Sequence, residues 1–202
     1  MLVVYVILGI VVLVGIAVAI SYNRFVSQRN LIRDSWSNID TELRRRHDLI
    51  PNLVETVEGY AVHEREVLAE VTEARTVAVD SMDGGGRGGS SDPPGKQAGA
   101  ENALVGSLRH LLAVAESYPD LKADGAFLSL QDELTNTEDR IQAARRFYNA
   151  NVRDYRNQTR QVPGVFFAHR FGMREIAFFE CDTPAVRQAP QAVFAASPAM
   201  EA

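Results

Sequence analysis

An all-α protein, with an N-terminal transmembrane helix followed by an antiparallel up-and-down four-helix bundle of long helices, is what this sequence predicts. Three observations carry that prediction. An uncharged apolar run opens the chain from Leu2 to Ile20. Behind it, from Tyr22 to Val79, apolar residues recur every three to four positions, the signature of helices packed along a seam. Two further stretches, one before and one after Pro119, repeat that helical period on one face.

The opening run is rich in Val and Ile, and its nineteen residues rise about 28 Å, close to the hydrocarbon thickness of a bilayer. A cleaved signal peptide is the competing reading. No basic residue precedes the run, however, and Tyr22-Asn23-Arg24 is a poor small-residue cleavage site, so residues 1–21 are expected to remain as an anchor. Arg24, Arg29 and Arg33 follow the span before the first acid, Asp34. The positive-inside tendency then predicts a single-pass protein of the cell (inner) membrane, with its N-terminus outside and the bulk of the chain cytoplasmic.

Residues 22–163 are expected to form the bundle. Its seam runs through Phe25, Ile32, Ile39, Arg46, Leu53, Tyr60, Val67 and Ala74, and through Trp36, Leu43, Ile50, Val57, Glu64, Val71 and Ala78. All but Arg46 and Glu64 are apolar, and Trp36, Ile39, Leu43, Val57, Tyr60 and Tyr148 are the expected heart of the coiled-coil-like core. Pro51 interrupts this pattern, removing a donor and crowding the carbonyl of His47 at a cost of about 3 kcal/mol. The chain either kinks there and continues, or turns near Asp48 to Pro51 and folds Val54–Val79 back onto Tyr22–His47. The matched lengths of the two arms favour the turn, which would place Trp36 near His63, Ile39 near Tyr60 and Leu43 near Val57. Arg46 would then reach solvent at the tip, His47 would be an ordinary tip residue, and Glu64 could face another subunit.

Asp80 to Gln97, DSMDGGGRGGSSDPPGKQ, reads as a flexible linker, and no Gly-Lys-Ser/Thr makes a phosphate loop of it. A second hairpin follows, with Leu104, Leu108, Leu111, Ala115 and Tyr118 on one face and a stop at Pro119. Asp124 can cap the last helix, whose inward set is Phe127, Leu130, Leu134, Ile141, Ala144, Tyr148, Val152 and Tyr155, and which must end by Pro163-Gly164. That helix is expected to run back toward the membrane and to project past its neighbours. Eight arginines lie between Arg140 and Arg174 against one acid, Asp154. Residues 164–181 mix phenylalanine with arginine, which suits an anionic bilayer surface or, more plainly, a plug for the open end of the bundle. The expected lipid-facing set is Arg153, Arg156, Arg160, Phe166, Phe167, Arg170, Phe171 and Arg174. Residues 182–202 are rich in Ala, Pro and Gln, show no period and predict disorder.

The chemistry of an enzyme is hard to find. None of His47, His63, His110 and His169 has Glu three residues before it, and His63-Glu64 lacks the second histidine of a zinc-protease helix, so no metal and no cofactor are expected. Cys181 is the single cysteine, which rules out an internal disulfide. Ser35 and Ser37 have no identifiable base nearby, and the net charge of -5 with no recognisable module argues against nucleic acid as a partner.

The segments YNRFVSQRN (22–30), DSWSNIDTELRRRHDLIPNLVETVEGYAVHEREVL (34–68), ENALVGSLRHLLAVAESYPDLKA (101–123) and RRFYNANVRDYRNQ (145–158) resemble the LemA family. The resemblance covers about Tyr22 to Gln158 and implies a bacterial single-pass membrane protein with an outward N-terminus, a cytoplasmic helical bundle and no established enzymatic activity. After Pro163 the chain departs from the family pattern, with His169-Arg170 among the phenylalanines and Met173-Arg174-Glu175 in place of a Phe-Lys-Pro run.

The expected function is therefore a non-enzymatic scaffold or adaptor. Its partners would be the lipid bilayer, an unidentified membrane or cytoplasmic protein, and copies of itself. A homo-oligomer that shapes or organises the membrane is the alternative. The residues expected to meet a partner are Arg44, Arg45, Asp48, Pro51 and Asn52 at the first hairpin tip and Tyr118, Pro119 and Asp120 at the second.

Overall fold

The structure is a computed structural model that describes residues 1–61, 63–83, 94–162, 164–168 and 175–179. Among these residues it is all-helical: α1 (Leu2–Glu58), α2 (Arg65–Asp83), α3 (Pro94–Ala115), α4 (Pro119–Lys122), α5 (Gly125–Arg160) and α6 (Gly164–Ala168).

α1 passes through Pro51 without a break. The expected turn at Asp48–Pro51 does not form, and the energetics show why. Ile50, Leu53 and Val57 are all fully buried, and their burial is worth roughly 5–9 kcal/mol together against the proline's cost of about 3 kcal/mol. The ring of Pro51 points to solvent. The carbonyl of His47, which the proline leaves without its helical donor, accepts a hydrogen bond from Arg75 Nε of α2 at 2.8 Å. The proline thus converts a helical hydrogen bond into a tie between helices. The chain reverses instead at Gly59–Glu64, where Tyr60 N and Ala61 N both bond to Val57 O and Glu64 N bonds to Ala61 O.

This tie makes a double-mutant prediction. Arg75→Ala strips the His47 carbonyl of its donor and should cost about 1–3 kcal/mol in a denaturant titration. In a Pro51→Ala background the new amide can serve that carbonyl, so the same change should cost about 1 kcal/mol less. Strict additivity would contradict the exchange of donors.

Helix pairing follows from this longer first arm. α1 and α5 run antiparallel, with Tyr60 bonded to Asp124 at one end, Trp36 against Tyr148 in the middle, and Phe25 edge-on to Tyr155, ring centroids 6.4 Å apart, near the membrane end. α2 and α3 form the second antiparallel pair, joined by Glu64–Tyr118 and Glu70–His110. The expected neighbours Trp36–His63, Ile39–Tyr60 and Leu43–Val57 are therefore replaced, since Leu43 and Val57 lie on one helix about 21 Å apart. Two buried clusters result. The distal one centres on Leu53, Val57, Val71, Leu104 and Leu111. The proximal one holds Phe25, Ile39, Leu43, Tyr148, Val152, Tyr155 and Phe179.

Most of the seam is buried as its period predicts. Ile39, Leu43, Val57 and Tyr148 are buried and Trp36 is half-buried, but Tyr60 is 43% exposed because it falls in the turn. Asp124 caps α5 as expected, its side chain accepting from Ala126 N and Phe127 N at 2.8 and 2.9 Å. α4 was not foreseen; it begins at Pro119 and inserts the fully buried Leu121. α5, at 36 residues, rises about 54 Å and is longer than α2 and α3, at 19 and 22 residues, as expected, while α1 beyond Ile20 matches its length. The linker expected over 80–97 is helical at both ends, because Met82 and Ala98 continue the apolar faces of α2 and α3 and are buried. Residues 84–93, Arg170, Phe171, Arg174, Cys181 and the tail 182–202 lie outside the described residues.

Candidate functional site

Two constructions stand out: a charged node inside the bundle and a polar tip at its far end. The node forms where α1, α2, α3 and α5 converge. Arg46 and Glu101 are an ion pair with side chains 4% and 5% exposed, and Arg46 Nη1 also donates to Glu138 at 2.9 Å. His47 Nε2 lies 3.1 Å from the other oxygen of Glu101, and its backbone carbonyl takes the Arg75 bond described above. Buried charges are costly unless paired, and here Arg46 of α1 answers Glu101 of α3 and Glu138 of α5, although Arg46 Nε and Glu101 Oε1 make no hydrogen bond among the described residues. Arg46 therefore does not reach solvent at a tip, and His47 is not a tip residue. The hydrogen bond from imidazole to carboxylate is long, 3.4 Å to the oxygen that Arg46 already holds, and both side chains are buried. Ser35 is likewise occupied. Its hydroxyl donates to Leu31 O and accepts from Asn151 Nδ2 at 2.6 Å.

The tip is built by the α1–α2 turn and the α3–α4–α5 connection. Tyr60 donates to Asp124 Oδ2 at 2.9 Å and Tyr118 donates to Glu64 Oε1 at 2.8 Å, so each turn is tied to the other by a tyrosine–carboxylate bond. Glu64, the second charge in the seam, thus has its partner within the chain. The Phe127 amide, then the Tyr60 hydroxyl, hold the Asp124 carboxyl below its ordinary value, and the bond to Asp124 raises the Tyr60 hydroxyl above its own. A depressed carboxyl adds stability that is present above its unfolded value and lost as pH falls through the folded one. A raised phenol adds stability present below its unfolded value and lost as pH rises through the folded one. Amide exchange at Ala126 and Phe127 should accordingly stay protected across neutral pH and open in acid. Asp124→Asn should flatten the acid side of that profile, and an unchanged acid limb would contradict the assignment.

The partner residues expected from sequence are divided by this geometry. Tyr118, Pro119 and Asp120 sit at the tip. Arg44, Arg45, Asp48, Pro51 and Asn52 lie on the shaft of α1, where Arg44 pairs with Asp40 at 3.0 Å and Arg45 with Glu133 of α5; Asp48 neither caps nor turns the chain. An open groove of about 560 Å³ between α1 and α2 is lined by Val54, Glu58, Arg65, Leu68, Thr72 and Glu73.

The expected lipid-facing residues are also divided. Arg153 is exposed, Arg160 pairs with Glu175 at 3.0 Å, and Phe166 is 70% exposed. Arg156 turns inward instead. It donates twice to Ile176 O, at 3.0 and 2.7 Å, with its guanidinium 4.3 Å from the Phe178 ring. Residues 175–179 form an extended strap along α5. Tyr148 donates to Ala177 O at 3.0 Å, and the Asn149 amide exchanges two bonds with the backbone of Phe179. Burial pushes the Tyr148 hydroxyl up to about 12, in keeping with its role as a donor. The Phe179 ring is buried against Trp36 at 5.3 Å and under Arg145 at 4.7 Å. Sequence reading missed Asn149, Asn151, Glu101 and Glu138 because each is an ordinary polar helix residue until its partner helix is known.

Among the described residues no cluster of three or more His, Cys, Asp or Glu could hold a metal ion. α1 carries a segment long and apolar enough to cross a membrane, with none of it buried in the protein. The class so defined is a membrane-associated, all-helical protein led by an apolar helix. The chain belongs to the LemA family, whose model matches residues 35–194, well beyond Gln158 and through the strap. It is 26% identical over 185 residues to magnetosome protein MamQ 1 of Paramagnetospirillum magneticum and to magnetosome protein MamQ of Magnetospirillum gryphiswaldense, covering 82% of this chain and 68% of each relative. It is 24% identical over 162 residues to protein LemA of Metamycoplasma hominis, covering 78% of this chain and 68% of that one.

Proposed function

We propose that the protein is a non-enzymatic, membrane-anchored scaffold or adaptor whose cytoplasmic bundle presents its far end to a protein partner. The observation that carries this reading is the cross-tied tip. Two separate connections are locked into one polar surface at the end of α1 opposite the apolar segment, and the 38 residues from Ser21 to Glu58 hold it about 57 Å away. Enclosure of the Arg46–Glu101–His47 node supports a structural rather than a catalytic use of those charges. Family membership supports the membrane setting.

The test is affinity capture from native membranes with the full chain carrying Glu58→Arg and Asp120→Arg, both exposed and outside the tyrosine ties. The partner should be lost while the melting temperature holds. Capture of the same partner by the variant would contradict the tip as its site. A second reading, a homo-oligomer that organises membrane, is favoured by Leu128 and Phe147 of α5, which are exposed at 45% and 55%. Mass photometry of the solubilised chain separates the two, since rings or rods favour the second reading and small discrete particles favour the first.

A further inference from the structure

We infer that the junction of α5 and α6, through Val162, Val165 and Phe166, is a second membrane contact, seated in the headgroup layer beside the spanning helix. The inference rests on the reading of Leu2–Ile20 as a bilayer span.

Two contacts with Phe25 set the height of this junction. Phe25 lies five residues past Ile20, about 7–8 Å along α1. Gly164 packs directly on it: a Cβ added there would stand 3.0 Å from the Phe25 ring and 2.1 Å from the Gln158 carbonyl oxygen. Only glycine permits this close approach, which folds the start of α6 back against the end of α5 and beside the Phe25 ring of α1. From the other side, Tyr155 meets Phe25 edge-on and Arg160 lies five residues further toward the membrane, which brings the end of α5 level with Ile20. A headgroup layer is about 5–7 Å deep on each face, so the junction spans it, from the end of α5 level with Ile20 at its inner edge to Gly164 beside Phe25 at its outer edge.

What the junction exposes there is apolar. Val162 is 75% exposed, Val165 43% and Phe166 70%, and these side chains would stand in water on a free surface but enter the acyl boundary at this height. Exposed Arg24 of α1, four residues past Ile20 and so about 6 Å along the helix, lies at the same height, a charge that suits anionic headgroups. The bilayer is the occupant because the patch is continuous with the base of the span. Two attachments, one through α1 and one through this junction, would hold the bundle upright rather than free to swivel.

The full chain with C181S, reconstituted in vesicles of equimolar phosphatidylcholine and phosphatidylglycerol, tests this with spin labels at Phe166→Cys, Val12→Cys in the span and Asp120→Cys at the tip. Collision rates with oxygen and with a water-soluble nickel chelate report depth. The label at 12 should favour oxygen and the label at 120 nickel, and the label at 166 should fall between them, with nickel access well below that at 120. A lipid-buried label at 12 with a label at 166 as nickel-exposed as that at 120 overturns this inference alone. A label at 166 shielded from both reagents marks a protein neighbour and also overturns it. A nickel-exposed label at 12 overturns the anchor reading and this inference together.

Discussion

Replacing Arg46 with methionine is expected to lower the unfolding free energy of the detergent-solubilised chain by about 3–5 kcal/mol, the cost of removing one partner from a buried ion pair. Methionine fills much of the space of the arginine stem, so the loss is electrostatic rather than a cavity. Glu101 is left almost wholly buried with only His47 beside it, and Glu138 loses its inward partner. The companion experiment is Arg46→Met with Glu101→Leu. Replacing both members of a buried pair by apolar side chains is commonly neutral, so the double variant should recover most of the loss. If the double variant is as unstable as the single one, the charges are not each other's partners and the node is misassigned.

The second large effect is expected at Phe179. Truncation to alanine should cost about 3–5 kcal/mol, because the ring is fully buried between Trp36 and Arg145 and the strap gives the core no other large side chain of equal burial. Near-ultraviolet circular dichroism should change with it, since Trp36 loses its edge-to-face neighbour. A change of under about 1 kcal/mol would mean that the strap merely rests on α5 and that the fold ends with that helix.

The sequence carried the fold class well, and the reasons are local. A period of 3.5 residues identified most of the buried face of α1 through Val57, missing Ser35 and His47, and Asp124 announced the start of α5 by its capping chemistry. The turn was misplaced because Pro51 is a strong local signal while its remedy is distant. The guanidinium that satisfies His47 comes from Arg75, 28 positions on, and no window short enough to show a helix contains both. The weaker signal, Gly59-Tyr60, marks the true reversal. The candidate site was legible only in part for the same reason. Arg46 was visible as a charge in an apolar seam, but its partners Glu101 and Glu138 are 55 and 92 positions away, and pairings of that range depend on how the helices are laid together. Residues 164–181 read from sequence either as a lipid surface or as a plug for the bundle, and Phe179 takes the plug's part, buried against Trp36, with Arg145 and Arg156 stacked on rings of the strap.

The account depends on α1 continuing through Pro51, and a single distance tests it. In the full chain with C181S, spin labels at the exposed positions Arg33 and Glu66 should lie about 35 Å apart by double electron–electron resonance, since Arg75 stands level with His47 and each helical residue rises 1.5 Å. A distribution centred below about 20 Å is what a reversal at Asp48–Pro51 would give, and it would contradict both the unbroken helix and the charged node built on it.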